Sequence, residues 1–119
     1  MGITNIKATI VNPKRPSQKR DIKFMVDSGA VYSIVNEGIL KEMGVKPYGE
    51  KEFMLANGKA VTRKIGGLMY EYQGEKGYAP VIFGEKDDSS LMGAVTLEAL
   101  GMVLDPLKRR LLQLPMVLG

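Results

Sequence analysis

The chain has no histidine, no cysteine and no tryptophan among its 119 residues. Without cysteine it can form no disulfide and offers no thiolate as nucleophile or metal ligand. Without histidine it has no Ser-His-Asp or Cys-His nucleophilic system, no imidazole base and none of the usual nitrogen ligands of zinc. Any catalysis must run on carboxylates, lysine, tyrosine, hydroxyls or backbone groups. Long apolar runs are missing too. The opening residues, MGITNIKATIV, lack the apolar core of a signal peptide, and no stretch is long enough to span a bilayer. The expectation is a cytoplasmic protein with no membrane partner.

What is present suits a single domain over 1–119. Hydrophobic residues at 45% allow a modest core, and 25% charged residues argue against wholesale disorder. The 14 glycines fall between apolar runs, a pattern of many tight turns and an all-β chain. The net charge is +4, with basic clusters at Lys14–Arg20 and Lys108–Arg110. Phosphate binding could use such clusters. No aromatic residue interleaves with them along the chain, so a base-stacking platform is not indicated and nucleic acid is not an expected partner. They read as solvated hairpin tips.

Alternation of apolar and polar residues predicts a strand over Ile3–Val11, a polar loop over Asn12–Arg20 and a second strand over Asp21–Val26. A sharp break follows at Asp27-Ser28-Gly29-Ala30, then β-type residues at Val31–Val35. Asn36 can cap a short helix, Glu37–Met43, with Gly44 just past its end. Lys51–Leu55 and Ala60–Ile65 flank Asn57-Gly58, a strong hairpin signal because both central residues tolerate positive φ. Gly66-Gly67 is expected to end that second run. Leu68–Tyr72 and Tyr78–Phe83 are two more strands, joined through Gln73–Gly77. Leu91–Val95 is short and wholly apolar, as in a buried strand. Thr96 can cap a helix over Leu97–Leu100, closed by Gly101. Met102–Leu104 and Leu111–Leu114 surround a turn at Asp105-Pro106. No internal repeat is present.

The chemistry concentrates at Phe24-Met25-Val26-Asp27-Ser28-Gly29-Ala30. An apolar strand delivers a carboxylate into a tight turn, followed by a hydroxyl and a glycine. Burying such an acid is costly unless it is hydrogen-bonded or shares its proton. Asp-Ser-Gly alone is also what an ordinary turn looks like.

With its context, VDSGAVYSIV at 26–35 resembles the signature of the retropepsin-like aspartic proteases, the retroviral proteases and their cellular and archaeal relatives. Leu91-Met92-Gly93, with the helix at Thr96–Gly101 and the strand Met102–Asp105, resembles that family's second signature. The Phe53–Ile65 hairpin stands where the family places its flap. The resemblance runs over roughly residues 3–114, in order and spacing. It implies a small closed β-barrel with one or two short helices, a flap hairpin and an active site completed by a second copy of the chain. Two chain-specific features stand out. Ser28 replaces the more common threonine, and Ala94 stands where viral members carry a charged residue that braces the dimer. The flap tip lacks the viral glycine-rich run, and Ile65-Gly66-Gly67 is the other candidate for it.

The resemblance also implies roles. Asp27 of each copy forms the catalytic pair, supported by Ser28, Gly29 and Ala30. Leu55, Ala56, Asn57 and Gly58 form the flap tip over the substrate. Leu91, Met92 and Gly93, with Ala30, Leu55, Val81 and Ile82, are candidate pocket walls. Ile3–Ala8 and Leu111–Leu118 are candidates for an intersubunit sheet. No metal or organic cofactor is expected. The expected partners are a second copy and a peptide or protein substrate. The implied activity is aspartic endopeptidase. The rival reading is a catalytically silent dimerisation or peptide-binding module on the same fold.

Overall fold

The computed structural model describes residues 3–114. The expected intersubunit strand from Leu111 to Leu118 therefore lies partly outside the described residues. The chain folds as β1 (Thr4–Asn12), β2 (Arg15–Val26), β3 (Ser33–Asn36), α1 (Glu37–Glu42), β4 (Gly49–Met54), β5 (Ala60–Tyr72), β6 (Glu75–Gly84), β7 (Leu91–Met92), α2 (Ala94–Leu100), β8 (Met102–Asp105) and β9 (Arg110–Gln113).

β1 and β2 form a long antiparallel hairpin, from Thr4 opposite Val26 to Ile10 opposite Arg20, with an irregularity at Val11/Asn12. The alternation in β1 buries Ile6, Ala8 and Ile10, and the facing strand buries Ile22, Phe24 and Val26. The strand order is β1-β2-β7-β3-β6-β5-β4. β1 also pairs with β5, Ile10 opposite Tyr70. That last pairing joins the two ends of the six-strand run, so the strands from β1 to β5 close into a ring. β4 extends it as an outer strand on β5. Ring closure removes the open edges that a small sheet would otherwise expose. Inside sits one core, including Phe24, Val35, Leu40, Leu68, Tyr70, Val81, Phe83 and Met92, all nearly or fully buried. The rings of Phe24 and Tyr70 pack at 6.2 Å between centroids.

Several local expectations change. The Asn12–Arg20 loop is mostly strand: the turn is confined to Pro13-Lys14, and β2 begins at Arg15. Its first residues, Arg15 to Lys19, are all exposed at the far end of the hairpin, where Pro16 is tolerated. Gly66-Gly67 does not end a strand or form a flap tip; it lies mid-way along the 13-residue β5. A Cβ on Gly66 would press on Phe83 and the Lys46 carbonyl, and one on Gly67 would collide with the Tyr78 hydroxyl. The glycines are there to admit neighbours, not to break the strand. The β5–β6 turn is only Gln73-Gly74, both at positive φ (48° and 83°), as a two-residue turn of type I′ requires. Ala94 and Val95 belong to α2 rather than to a strand. Gly93 is the residue before that helix, and Thr96 lies within it, fully buried.

Candidate active site

Asp27 follows directly on β2. Its backbone N–H donates to the Met92 carbonyl at 3.0 Å, and its own carbonyl accepts from Ala30 N–H at 3.1 Å. β2 and β7 run parallel, Val26 beside Met92. β7 also meets β3, Ile34 opposite Leu91. The 27–30 turn is thus wedged against β7 and the start of α2. Ala94 N–H donates to the Ala30 carbonyl at 2.7 Å, and Val95 N–H to the Val31 carbonyl at 3.0 Å. These bonds hold the turn from below and leave its outer side open.

The Asp27 side chain projects on that open side. The Gly29 N–H donates to Asp27 Oδ1 at 2.9 Å. A Cβ on Gly29 would stand 3.2 Å from the same oxygen, so a larger residue would crowd the carboxylate. Asp27, Ser28 and Gly29 are exposed and Ala30 is half-buried. An acid hidden at the end of a buried strand is therefore not what a single chain contains. The carboxylate stands in solvent, hydrogen-bonded on one oxygen, and no burial cost falls on the chain by itself.

Behind the turn lies a polar cluster that the sequence reading missed. The Gly93 N–H donates to Ser33 Oγ at 3.0 Å. Ser33 and Thr96 share a hydroxyl–hydroxyl bond of 2.6 Å. Both are fully buried, as is Tyr70, whose hydroxyl donates to the Pro80 carbonyl at 3.1 Å. Burial pushes the Tyr70 phenol far above its ordinary range, while the nearby Thr96 and Ser33 hydroxyls pull the other way. Ser33 looked like one polar position in an alternating strand, and Thr96 looked like a helix cap. Only the convergence of β3, β5 and α2 makes them partners.

Gly93 shows why that position has no side chain. A Cβ there would lie 2.7 Å from the Tyr32 carbonyl oxygen and 2.9 Å from that of Ala30. The crossing of β7 beneath the Asp27 turn is closer than any other residue permits. Leu91 is half-buried and Gly93 buried beside it. Met92 and Val81 are completely buried and belong to the core, and Ile82 is buried at 8%.

Leu55, Ala56, Asn57 and Gly58 lie at the tip of the β4–β5 hairpin, all exposed. Gly58 N–H donates to the Leu55 carbonyl at 2.9 Å, and Leu55 N–H to the Lys59 carbonyl at 2.7 Å. Only Gly58 has positive φ (86°), not both residues of the Asn-Gly pair. Asn57 instead accepts from Lys59 N–H through its side chain at 3.0 Å. One cluster ties this hairpin to the Asp27 region. Lys51 Nζ on β4 donates to the Tyr32 hydroxyl at 3.2 Å and also lies 5.2 Å from the Tyr32 ring centre. Phe53 meets the same ring edge-on at 6.4 Å.

No protein-family model matches this chain, and no curated protein matches it. Solved structures do. A retropepsin-like aspartic protease from Rickettsia conorii superposes with a TM-score of 0.60 at 24% identity, over 87% of this chain and 77% of that one. The Simian Foamy Virus (mac) protease gives 0.55 at 22% identity, over 79% and 91%. A foamy viral protease-reverse transcriptase, solved with an RNA/DNA hybrid, gives 0.57 at 18% identity, over 81% of this chain but only 12% of that longer one. The chain has the retropepsin fold. Among the described residues no group of three or more carboxylates is placed to hold a metal ion. No described helix is long and apolar enough to cross a membrane.

Proposed function

We propose that this protein is a homodimeric aspartic endopeptidase whose site forms when Asp27 of one chain meets Asp27 of a second. The observation that carries the reading is the Asp27 carboxylate, held out into solvent by a turn braced from below and hydrogen-bonded to Gly29 N–H. One chain of this fold supplies a single Asp-Ser-Gly turn. A two-fold axis brings identical residues face to face. Two carboxylates about a hydrogen bond apart cannot easily both ionise, so they share one proton and titrate as a pair. The ionised member takes a proton from a water between them, and the protonated member hydrogen-bonds the scissile carbonyl.

Ser28 stiffens the pair by bonding across the axis, and Gly29 holds each carboxylate. The β4–β5 hairpin acts as the flap, with Leu55, Ala56, Asn57 and Gly58 closing over a peptide bound as an extended strand. Leu91, Met92 and Gly93 form the floor beneath it, with Met92 shaping it from the core. Exposed apolar residues support the pairing: Met54 is 72% exposed, Ile3 63% and Leu114 47%. So many apolar side chains left in water favour a surface that a second copy covers. The substrate is an unfolded protein or extended peptide, and the location is the cytoplasm.

The test is cleavage of an unfolded, apolar-rich protein across pH about 3 to 8, with an Asp27→Asn variant and a statine-type transition-state analogue alongside. Cleavage should be greatest in acid, because loss of the shared proton at high pH removes the general acid. It should fall by about a thousandfold or more in the variant and be blocked by the analogue. A folded dimer that cleaves nothing at any pH would instead support a silent peptide-binding module.

A further inference from the structure

A cleft of about 610 Å³ lies at the end of β2 away from Asp27. It is framed by the β1–β2 turn, the α1–β4 link and the face of β5 and β6. Lys14, Arg15 and Lys46 line it, together with Tyr48 and Tyr78, and no carboxylate does. Among the described residues the ion pairs engage Arg20, Lys41, Arg63 and Lys64, and none engages these three cations. Two rings therefore stand beside three unpaired positive charges. Tyr48 is 66% exposed and Tyr78 58%.

The mount is firm. Asn12, 3% exposed, ties the β1–β2 turn to the end of α1 by donating to the Met43 carbonyl at 3.0 Å. Its side-chain oxygen accepts from Lys14 N–H at 3.0 Å. Arg15 lies across Gly44, its guanidinium 3.5 Å from where a Cβ would stand. Tyr48 N–H donates to the Ile65 carbonyl at 2.9 Å. The cations and rings are thus carried on bonded backbone rather than on a loose tail. The volume falls within the range of small-molecule sites.

We infer that this cleft binds a nucleotide unit, its phosphate on Lys14, Arg15 and Lys46 and its base on the Tyr48 and Tyr78 rings. A phosphate alone would use the charges and leave the rings idle, and so would an acidic peptide. A phosphate joined to a planar base uses both. Along the sequence the tyrosines are 30 or more residues from the Lys14–Arg15 pair. Only closure of the barrel sets them side by side, which is why the linear pattern gave no sign of stacking. The unit can come from a free nucleotide or from single-stranded nucleic acid. The site is separate from the Asp27 turn and does not depend on any peptidase activity.

The probe is a fluorescein-labelled eight-nucleotide single-stranded RNA, read by fluorescence anisotropy with the full chain. Competitors are uridine monophosphate, inorganic phosphate and a glutamate-rich octapeptide. The RNA and the mononucleotide should both bind. Tighter binding of the RNA by about tenfold or more identifies a strand as the source, and equal binding identifies a free nucleotide. Tyr48→Ala, and Arg15→Gln combined with Lys46→Gln, should each weaken binding by about tenfold or more at an unchanged melting temperature. A variant with Lys108, Arg109 and Arg110 all changed to Gln should bind as the parent does. The inference fails if nothing binds at millimolar nucleotide. It also fails if phosphate or the acidic peptide competes as well as the mononucleotide, or if the loss follows the 108–110 variant instead.

Discussion

The floor around Asp27 and the tip of the β4–β5 hairpin are built on opposite plans. The floor is tied by backbone bonds from Met92, Ala94 and Val95 and by a buried cluster of Ser33, Thr96 and Tyr70. The tip holds itself by turn bonds among Leu55, Asn57, Gly58 and Lys59, and its side chains stand in water. The lesson is one of division of labour. On the proposed reading, a reacting carboxylate gains from a mount that cannot shift, because positioning error costs rate. A cover over an extended substrate gains from few contacts of its own, because local stability is low where burial is low.

The strongest way to break the floor is Gly93→Ala. The added methyl meets two backbone carbonyls that cannot rotate away, and we expect a loss of about 3 kcal/mol, measured by urea unfolding. Ser33→Ala comes next. It orphans the buried Gly93 N–H and leaves Thr96 without its partner, which should cost about 1–3 kcal/mol. Adding Thr96→Val should cost less than the two single changes summed, since the hydroxyls act together. The measurement is again chemical denaturation of all three variants.

A smaller effect comes from pH. The Tyr70 phenol stays neutral in the folded chain, whereas the unfolded chain ionises it near its ordinary value of 10.0. Folded stability from this group is therefore complete below pH about 10 and falls as the pH rises above it. The melting temperature should drop more steeply between pH about 9 and 11 than in Tyr70→Phe, where this proton linkage is gone. Equal slopes would mean that Tyr70 is not held neutral by the fold. The hairpin tip should respond least. Met54→Ser with Leu55→Ser should shift monomer stability by no more than about 0.5 kcal/mol, since both side chains are exposed. On the proposed reading of the tip as a flap, the same pair should impair cleavage and self-association.

The alternation in β1 and the end of β2 made most of the ring legible in the sequence, because Ile6, Ala8 and Ile10 could face only one core. Asp27-Ser28-Gly29 was legible as a turn carrying an acid. What escaped depends on distant segments meeting. Gly66-Gly67 read as a break because nothing local reveals that Phe83 and Tyr78 press on those residues. Thr96 read as a cap because its partner Ser33 lies 63 residues away. The start of β2 at Arg15 was hidden by prolines and charges that a solvent-facing hairpin tolerates. The turn at Asp27 is bonded to β7 and α2 on one side, and its outer side leaves the carboxylate exposed.

The central claim, that one chain is half of a site, is most directly tested by mixing. Unmutated protein and Asp27→Asn protein, unfolded together in equal amounts and refolded, would form dimers at random. If the site needs Asp27 from both chains, the mixture should keep about one quarter of the activity of the same total amount of unmutated protein. If each chain cleaves alone, about one half will remain, and the shared dyad is wrong.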